Sequence, residues 1–428
     1  MNVNIFNGLT AYQSYVQSHP SPNVTEAVHE IIENVRHNGD TALRHYTEKF
    51  DGAQVVNFRV PQPQMQKALE QLDPKLKQIL LEAADNIRTF HQRQKTETQL
   101  EFSEDGTVLG WKVTPIDAVG VYVPGGRAPL FSTLLMNVIP AQVAQVPRIA
   151  VVAPPEKTGT PNPLMMAAAA LLNLEEFYAV GGAQAIAALA YGTESIPGVY
   201  KIVGPGNAYV AEAKKQVYGV VGIESIAGPS DILILCDRQD LATEYLVRDM
   251  LSQAEHDPDA KGLLVTTSSE QASAVAKRLQ ELVPTLPRRE IIEASFQENS
   301  AIIIVDNLEH AFAAVNEIAP EHLEILTKQP FEDLHKIRNA GAIFLGQHTP
   351  EPVGDYFAGP NHTLPTDGCA KFSSPLGVQD FVKTSSVLHY SAARLKKEGA
   401  SIIGFAEAEE LYAHAASVQV RLVENTKE

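Results

Sequence analysis

The sequence predicts an α/β fold that contains two parallel sheets with helices on both faces. From about residue 111 to residue 345, short apolar segments of strand length alternate with segments of helical length. Such alternation is typical of parallel strands joined by crossover helices. The segments form two series of comparable size, and 428 residues are enough for two or three domains with separate cores.

The first hundred residues read as helical and precede both series. Apolar residues recur at helical spacing over 24–36, and Asn38-Gly39 is a signal for the end of that helix. A short helix is expected over 41–50, and two more within 64–93 on either side of Asp73-Pro74. No catalytic pattern stands out here, so we expect this segment to pack against a neighbouring core.

The two α/β series are read from buried strands and the helices between them. The first has strands over 118–123, 148–152, 177–180, 200–203 and 232–236, with helices over 185–190 and 208–217. The second has strands over 263–266, 301–305, 323–326 and 342–345, with helices over 270–282, 308–318 and 331–339. A loop rich in proline and glycine is expected over 350–377, and loops of that length usually shape a site. A short C-terminal unit, with a helix over 405–420, is expected to dock on something larger.

Composition excludes several classes of protein. The formal net charge of −17 argues against a nucleic-acid or anionic-membrane surface. The first residues lack the basic flank and apolar core of a secretory signal, and the longest apolar run, 164–172, is about half of a membrane span. Two cysteines, Cys236 and Cys369, form no disulfide framework and suit a reducing compartment. We therefore expect a cytoplasmic protein.

A candidate metal-binding segment follows an amphipathic helix that Asp240 is expected to cap. Pro258 cannot continue that helix, so Gln253 and His256 fall in or just after its last turn. Residues three apart share a helix face, which lets an amide oxygen and an imidazole nitrogen converge on one point. The alternative is a histidine that only complements the helix dipole, and glutamine is an uncommon zinc ligand. The segment alone leaves both interpretations open.

Two glycine-rich turns offer candidate phosphate sites. Residues 181–184 end in Gln184 and residues 204–207 end in Asn207, each between a strand and a helix. Backbone N–H groups at such a helix start suit phosphates, although neither turn matches the dinucleotide fingerprint. Tight turns demanded by the sheet explain the spacing equally well. The two side-chain amides favour contact with a ligand.

Glu321 and His322 place two ionisable side chains at the start of an apolar strand. A histidine there suits a general base and a neighbouring carboxylate suits activation of water, but a solvated strand start explains the pair equally well. Asp355 in the long loop and His414 near the chain end add a carboxylate and an imidazole. Together with the candidate metal-binding segment, these side chains suit zinc with positions left for a substrate.

Seven motifs occur in order along the chain: GVYVPGG at 120–126, VGGAQ at 180–184, GPGN at 204–207, AGPSD at 227–231, QAEHDP at 253–258, PEHL at 320–323, and AGPNH at 358–362 followed by FSSPLG at 372–377. Together they resemble the motifs of the histidinol dehydrogenase family, and the resemblance covers nearly the whole chain from about residue 24. The resemblance implies a zinc-dependent homodimer with shared active sites. Such an enzyme oxidises L-histidinol to L-histidinaldehyde and then to L-histidine with two NAD, and binds one Zn2+ per subunit.

The resemblance also implies roles for individual residues. The implied zinc ligands are Gln253, His256, Asp355 and His414, the last from the partner subunit, and the implied substrate contacts are these four with Ser230, His322 and Glu409. Glu321 and His322 are the implied catalytic pair: His322 takes the hydroxyl proton and Glu321 activates water. The implied NAD contacts are Tyr122, Gln184 and Asn207. Glu410 departs from the family, where glycine is common, and this leaves open which of Glu409 and Glu410 meets the substrate.

The implied architecture is two Rossmann-like domains, a helical N-terminal segment and a small C-terminal dimerisation tail. The expected boundaries are an arm over 1–20, a first domain over 21–118 and 231–377 that carries the zinc and catalytic residues, an NAD-binding domain over 119–230, and a tail over 378–428. Three rival functions are a zinc dehydrogenase acting on another alcohol, an aldehyde dehydrogenase with a cysteine thiolate, and a non-catalytic metal- or nucleotide-binding protein.

Overall fold

The structure is a computed structural model that describes residues 3–18, 23–125, 130–226 and 228–424. Gly126 and Ala227 of the motifs, and parts of the expected arm and tail, lie outside the described residues. The strands are β1 (Asn4–Asn7), β2 (Gln99–Phe102), β3 (Val108–Pro115), β4 (Ala118–Tyr122), β5 (Arg148–Ala153), β6 (Glu176–Ala179), β7 (Lys201–Val203), β8 (Gly222–Ile223), β9 (Asp231–Cys236), β10 (Lys261–Thr266), β11 (Ala301–Ile304), β12 (His322–Leu326), β13 (Ala342–Leu345) and β14 (Val382–His389). The α-helices are α1 (Leu9–Ser18), α2 (Thr25–Asp51), α3 (Gln62–Glu70), α4 (Pro74–Gln92), α5 (Phe131–Val143), α6 (Pro163–Leu171), α7 (Gly182–Tyr191), α8 (Ala208–Val217), α9 (Thr243–Ala254), α10 (Ser269–Leu282), α11 (Arg289–Glu298), α12 (Leu308–Ile318), α13 (Pro330–Asp333), α14 (Glu351–Tyr356), α15 (Ala392–Ala408) and α16 (Tyr412–Glu424).

The first four strands of the first α/β series, together with β8, form a parallel sheet, which we call the small sheet, with the order β6-β5-β4-β7-β8. The assignment of 232–236 to this series is wrong, because that segment is β9 and pairs with β10 and β12 in the other sheet. Every residue of β4 is buried, as expected for a central strand covered on both faces. The strand order reverses at β4, because β5 lies on one side of it and β7 on the other. In open α/β sheets, ligands bind at the carboxyl ends of the strands beside such a reversal.

The second series forms a larger parallel sheet, the large sheet, with the order β1-β11-β10-β9-β12-β13. Its two faces carry separate buried clusters, one under α9, α10 and α11 and one under α1 and α12. The strand β9 lies at its centre between β10 and β12, and the register pairs Ile232 with His322. The predicted α/β class with two Rossmann-like sheets and a helical N-terminal segment is confirmed.

Several sequence-based expectations are wrong in detail. The strand β1 was not expected, and residues 350–377 are not loop throughout, because Glu351–Tyr356 is the helix α14. The helix expected over 405–420 is two helices, α15 and α16, and the one expected over 331–339 ends as α-helix at Asp333. Asp240 does not cap α9, whose N-cap residue is Ala242. Gly39 does interrupt the helical backbone, with φ 48°, but α2 continues on both sides of it.

The chain divides into two compact units. One comprises the described residues of 1–94 and 116–381, with both parallel sheets, and the other comprises 95–115 and the described residues from 382 onward. The second unit contains the antiparallel sheet β14-β3-β2 and the helices α15 and α16. In the part of the chain that the structure describes, no helix is long and apolar enough to cross a bilayer.

Candidate active site

Glu321 and His322 are held at the amino edge of the large sheet by Asp231. The backbone N–H of Asp231 donates to Glu321 Oε2 at 3.0 Å, and the Glu321 N–H donates to Asp231 Oδ1 at 2.8 Å. His322 Nδ1 bonds the carbonyl oxygen of Asp231 at 3.0 Å, so its Nε2 is left for another partner. Both side chains are almost wholly buried. The pair is therefore a fixed constellation and not a solvated strand start.

Carboxylates surround the free side of the His322 ring. His322 Nε2 lies 3.4 Å from Asp355 Oδ1, and Ser252 Oγ donates to Glu351 Oε2 at 2.9 Å. His322, Glu351 and Asp355 have potential ligand atoms within 4.8 Å of one another. His362 Nδ1 lies 3.0 Å from the carbonyl oxygen of Asp355. The helix α14 thus brings two acidic side chains to the Glu321–His322 pair.

Burial dominates the electrostatics of this cluster. It raises the pKa of Glu321 to about 8 and that of Glu351 to about 8. Burial alone would lower the pKa of His322, but the carboxylates of Glu321 and Asp355 raise it well above its usual value. Burial opposes ionisation of Asp355, yet its hydrogen bond with His322 holds its pKa below the usual range. Cations and protons are thus favoured between these carboxylates.

The candidate metal-binding segment lies beside the same cluster. Gln253, in the last turn of α9, has no exposed surface, and neither of its amide atoms has a hydrogen-bond partner among the described residues. His256 keeps exposed surface, yet partial burial lowers its pKa, and the charge of Asp355 acts against that shift. An imidazole that is mostly neutral at pH 7, a carboxylate within electrostatic range of it and a buried amide oxygen without a partner are donors that fit a divalent cation. The donor set present therefore suits zinc.

The remaining implied substrate contacts are Ser230, Glu409 and His414. Ser230 directly precedes β9, and its carbonyl oxygen accepts a hydrogen bond from the Lys261 N–H at 3.0 Å. Glu409 and His414 belong to the second unit, on either side of the start of α16. Glu410 has a left-handed backbone with φ 59°, a conformation that glycine adopts at low cost. The departure from glycine at this position therefore strains the turn between α15 and α16.

Sequence reasoning gave no role to Asp231 or Glu351, although both belong to this cluster. Asp231 appeared only as the last residue of a motif, and nothing in its local pattern shows which strand lies beside it. Glu351 sits in a helix of six residues, too short to show periodicity. The one signal in the sequence that could have drawn attention to Glu351 was its place next to proline, shortly after a predicted strand.

The implied NAD contacts line a cavity at the carboxyl edge of the small sheet, beside its strand reversal. The cavity has a volume of about 770 Å³ and is bordered by Tyr122, Gln184 and Asn207. Tyr122 Oη accepts a hydrogen bond from the Gly182 N–H at 3.2 Å, and burial raises the pKa of Tyr122 to about 12. Gln184 is buried with both amide atoms unpartnered, whereas Asn207 Oδ1 caps α8. This edge is where the fold places nucleotides.

A buried ion pair supports the turn that precedes Asn207. Lys214 Nζ donates to Glu224 Oε1 at 2.6 Å and to the carbonyl oxygen of Gly204 at 3.1 Å. The Gly204 N–H donates to the same carboxylate at 2.8 Å. Both charged side chains are nearly inaccessible. The pair therefore fixes both polar groups of the Gly204 backbone, in the turn that leads to Asn207.

We expect Lys214→Met to destabilise the protein by about 3–5 kcal/mol, because it leaves the Glu224 carboxylate buried without its cation. The measurement is the free energy of unfolding in urea. The matched control is Lys215→Met, since Lys215 is exposed and its nearest carboxylate, Glu212, lies 3.5 Å away. The control should change stability by less than about 0.5 kcal/mol. Equal changes in both variants would show that the buried pair does not stabilise the turn.

Comparison with known proteins agrees with the motifs. The model of the family described as histidinol dehydrogenase matches residues 16–422. The chain belongs to the histidinol dehydrogenase family. It is 52% identical over 396 residues to the histidinol dehydrogenase of Halalkalibacterium halodurans, covering 92% of this chain and 93% of the relative. It is 47% identical over 420 residues to that of Listeria innocua, covering 98% and 97%.

A solved structure shows the same fold. The crystal structure of histidinol dehydrogenase from Elizabethkingia anophelis aligns with a TM-score of 0.92 at 35% identity, covering 100% of this chain and 99% of that one. The predicted family is therefore confirmed, and the chain is an oxidoreductase of the histidinol dehydrogenase family. The alignment spans both compact units of the chain.

Proposed function

We propose that this protein oxidises L-histidinol to L-histidine through L-histidinaldehyde, in the last steps of histidine biosynthesis, with zinc and two NAD. The observation that carries the proposal is the buried Glu321–His322 pair, with Asp355 Oδ1 at 3.4 Å from His322 Nε2. A proton acceptor, a second carboxyl group and a metal-suited donor set occur together there. Because the chain belongs to the histidinol dehydrogenase family, oxidation of histidinol is the reaction that matches this set of groups.

The residues proposed to hold zinc are Gln253, His256, Asp355 and His414 of the partner subunit. The first three are supported by the unpartnered amide, the lowered pKa of the histidine and the carboxylate that acts on it. His322 and Glu351 offer further donor atoms near Asp355. When bound, zinc would hold nitrogens of the substrate in place while NAD accepts hydride.

The catalytic pair would divide the proton transfers between the two oxidations. His322 Nε2 points away from its backbone partner, so the neutral ring, which prevails above its raised pKa, can take the proton of the substrate hydroxyl. Glu321, in the ionised form that prevails above its pKa of about 8, would take a proton from the water that adds to the aldehyde. Ser230 and Glu409 would contact the substrate. The hydrogen bonds from Asp231 keep both reacting side chains in position without reorganisation.

The proposed dimer is supported by the second unit, which leaves large apolar side chains exposed. Phe102, Phe405 and Tyr412 have exposed fractions of 74%, 71% and 67%. Patches of that kind mark interaction surfaces. A dimer in which this unit covers a partner would also bring His414 to the partner's site. The domain boundaries and the cytoplasmic location stay predictions.

The thiolate mechanism of an aldehyde dehydrogenase has no support in this structure. Burial raises the pKa of Cys236 to about 11, and Cys369 also has a raised pKa because of burial. A nucleophilic cysteine needs the opposite shift.

The proposed function is tested by stoichiometry. We expect zinc-loaded protein supplied with excess NAD to form about two NADH per histidinol consumed, because both oxidations occur in one chain. Absorbance at the NADH band and chromatographic assay of histidine give the ratio, and metal analysis gives zinc per subunit. A ratio of one with accumulated aldehyde, or no turnover with zinc bound, would contradict the proposal. Activity on a different alcohol alone would support the related zinc dehydrogenase instead.

A further inference from the structure

An acidic side chain without a role lines the cavity of the small sheet. Asp51, the last residue of α2, borders the cavity together with Tyr122, Gln184 and Asn207. Its Oδ2 atom is buried and has no hydrogen-bond partner among the described residues. The charge of Asp51 acts on the Tyr122 hydroxyl, so the two groups lie within electrostatic range. A buried acceptor without a donor is costly unless a ligand supplies the donor.

The surroundings of Asp51 disfavour an anionic ligand group. The carboxyl end of α2 carries partial negative charge, which adds to that of the carboxylate. Glu156 is the other acidic side chain of the cavity, and its Oε1 already accepts a hydrogen bond from Asn162 Nδ2 at 2.8 Å. Lys157 is the one basic lining residue among those described, and it is exposed. Burial raises the pKa of Asp51 to about 6, so the carboxyl group is still mostly ionised at pH 7.

We infer that Asp51 selects NAD over NADP by accepting a hydrogen bond from a hydroxyl of the adenosine ribose. The vicinal hydroxyls of that ribose are donors, and NADP replaces one of them with a phosphate dianion. The phosphate removes the donor and brings a second negative charge against a buried carboxylate. This inference rests on the proposed use of NAD and adds the residue that discriminates between the two cofactors.

The test measures cofactor binding directly, without histidinol. Fluorescence titration gives Kd for NADH and for NADPH with the wild-type protein and with Asp51→Asn. We expect the wild type to bind NADH at least about tenfold more tightly, since a hydrogen bond to a charged group contributes about that factor. Asp51→Asn keeps the shape and should weaken NADH binding by about tenfold and tighten NADPH binding. In Asp51→Asn, the ratio of kcat/KM for NAD to kcat/KM for NADP should fall in parallel with the preference in binding.

Two further variants separate local from general effects. Glu48→Gln removes a charge from the exposed face of the same helix, outside the cavity, and should leave both Kd values unchanged. Glu156→Gln removes the other cavity carboxylate. A switch of preference in Glu156→Gln but not in Asp51→Asn would overturn the inference. Equal weakening of NADH and NADPH binding in Asp51→Asn would also overturn the inference, because Asp51 would then contact a part of the molecule that both cofactors share.

The outcomes also separate this inference from the proposed function. Selective NADH binding that Asp51→Asn abolishes, in a protein that does not turn over histidinol, would support the inference and contradict the proposed function. Turnover of histidinol with equal use of NAD and NADP by the wild type would support the function and contradict the inference. Thermal melting of each variant confirms that it is folded.

Discussion

His322→Asn is expected to slow histidinol oxidation by about 10²–10⁴-fold, the usual contribution of a positioned general base. Asparagine can still donate to the carbonyl oxygen of Asp231, which His322 Nδ1 contacts at 3.0 Å, so the fold should be kept. It has no group that accepts a proton where Nε2 lies. Rates with histidinol and with histidinaldehyde should both fall, and stopped-flow measurement of NADH formation checks each step.

The zinc content of this variant decides between two roles for His322. Its Nε2 lies 3.4 Å from Asp355 Oδ1, which is compatible with a base held by a carboxylate and with a metal ligand. If His322 is the base, the variant should keep about one zinc per subunit. A matched control is His310→Asn, because His310 is exposed on α12 and lies 3.3 Å from Asp306, outside the cluster around His322. Loss of zinc together with activity would contradict the role of base.

The parallel strands were predictable from sequence because both of their faces are covered. Residues such as those of β4 and 232–236 of β9 are apolar without interruption, as expected for strands that are covered on both faces. The edge strand β1 was missed because its four residues alternate between half-buried and exposed. The strand β14 was missed for a similar reason, since most of its residues are exposed. Its pairing with β3 joins segments far apart in the chain.

The site was predictable only where a motif carried it. Glu321 and His322 were singled out as a pair, but the structure adds why they are rigid: the register of β9 and β12 sets Asp231 against them. Register between non-consecutive strands depends on the whole sheet, and no local pattern encodes it. The unpartnered atoms of Gln253 and Asp51 are likewise visible only after folding. Sequence singles out the candidate residues, and packing explains the electrostatics of each.

Mixing two inactive variants is expected to restore about a quarter of wild-type histidine formation if the sites are shared between the subunits of a dimer. One variant is His414→Asn, which lacks the ligand given to the partner, and the other is Glu321→Gln, which lacks the group that activates water. In a mixed dimer, one site combines the intact Glu321 of one chain with the intact His414 of the other. The second site collects both changes and stays inactive. Random exchange makes about half of the dimers mixed, each with one working site.

Subunit exchange must be shown independently for this result to count. Differently tagged chains, co-purified after mild denaturation and refolding, give the fraction of mixed dimers, and mass spectrometry checks it. His389→Asn is the matched control for His414→Asn, because His389 is another exposed histidine of the second unit. If mixed dimers form and histidine formation stays at the level of the separate variants, His414 acts within its own chain or not at all. In that case the exposed apolar side chains of α15 and α16 need another partner, and a zinc site completed across the dimer would be wrong.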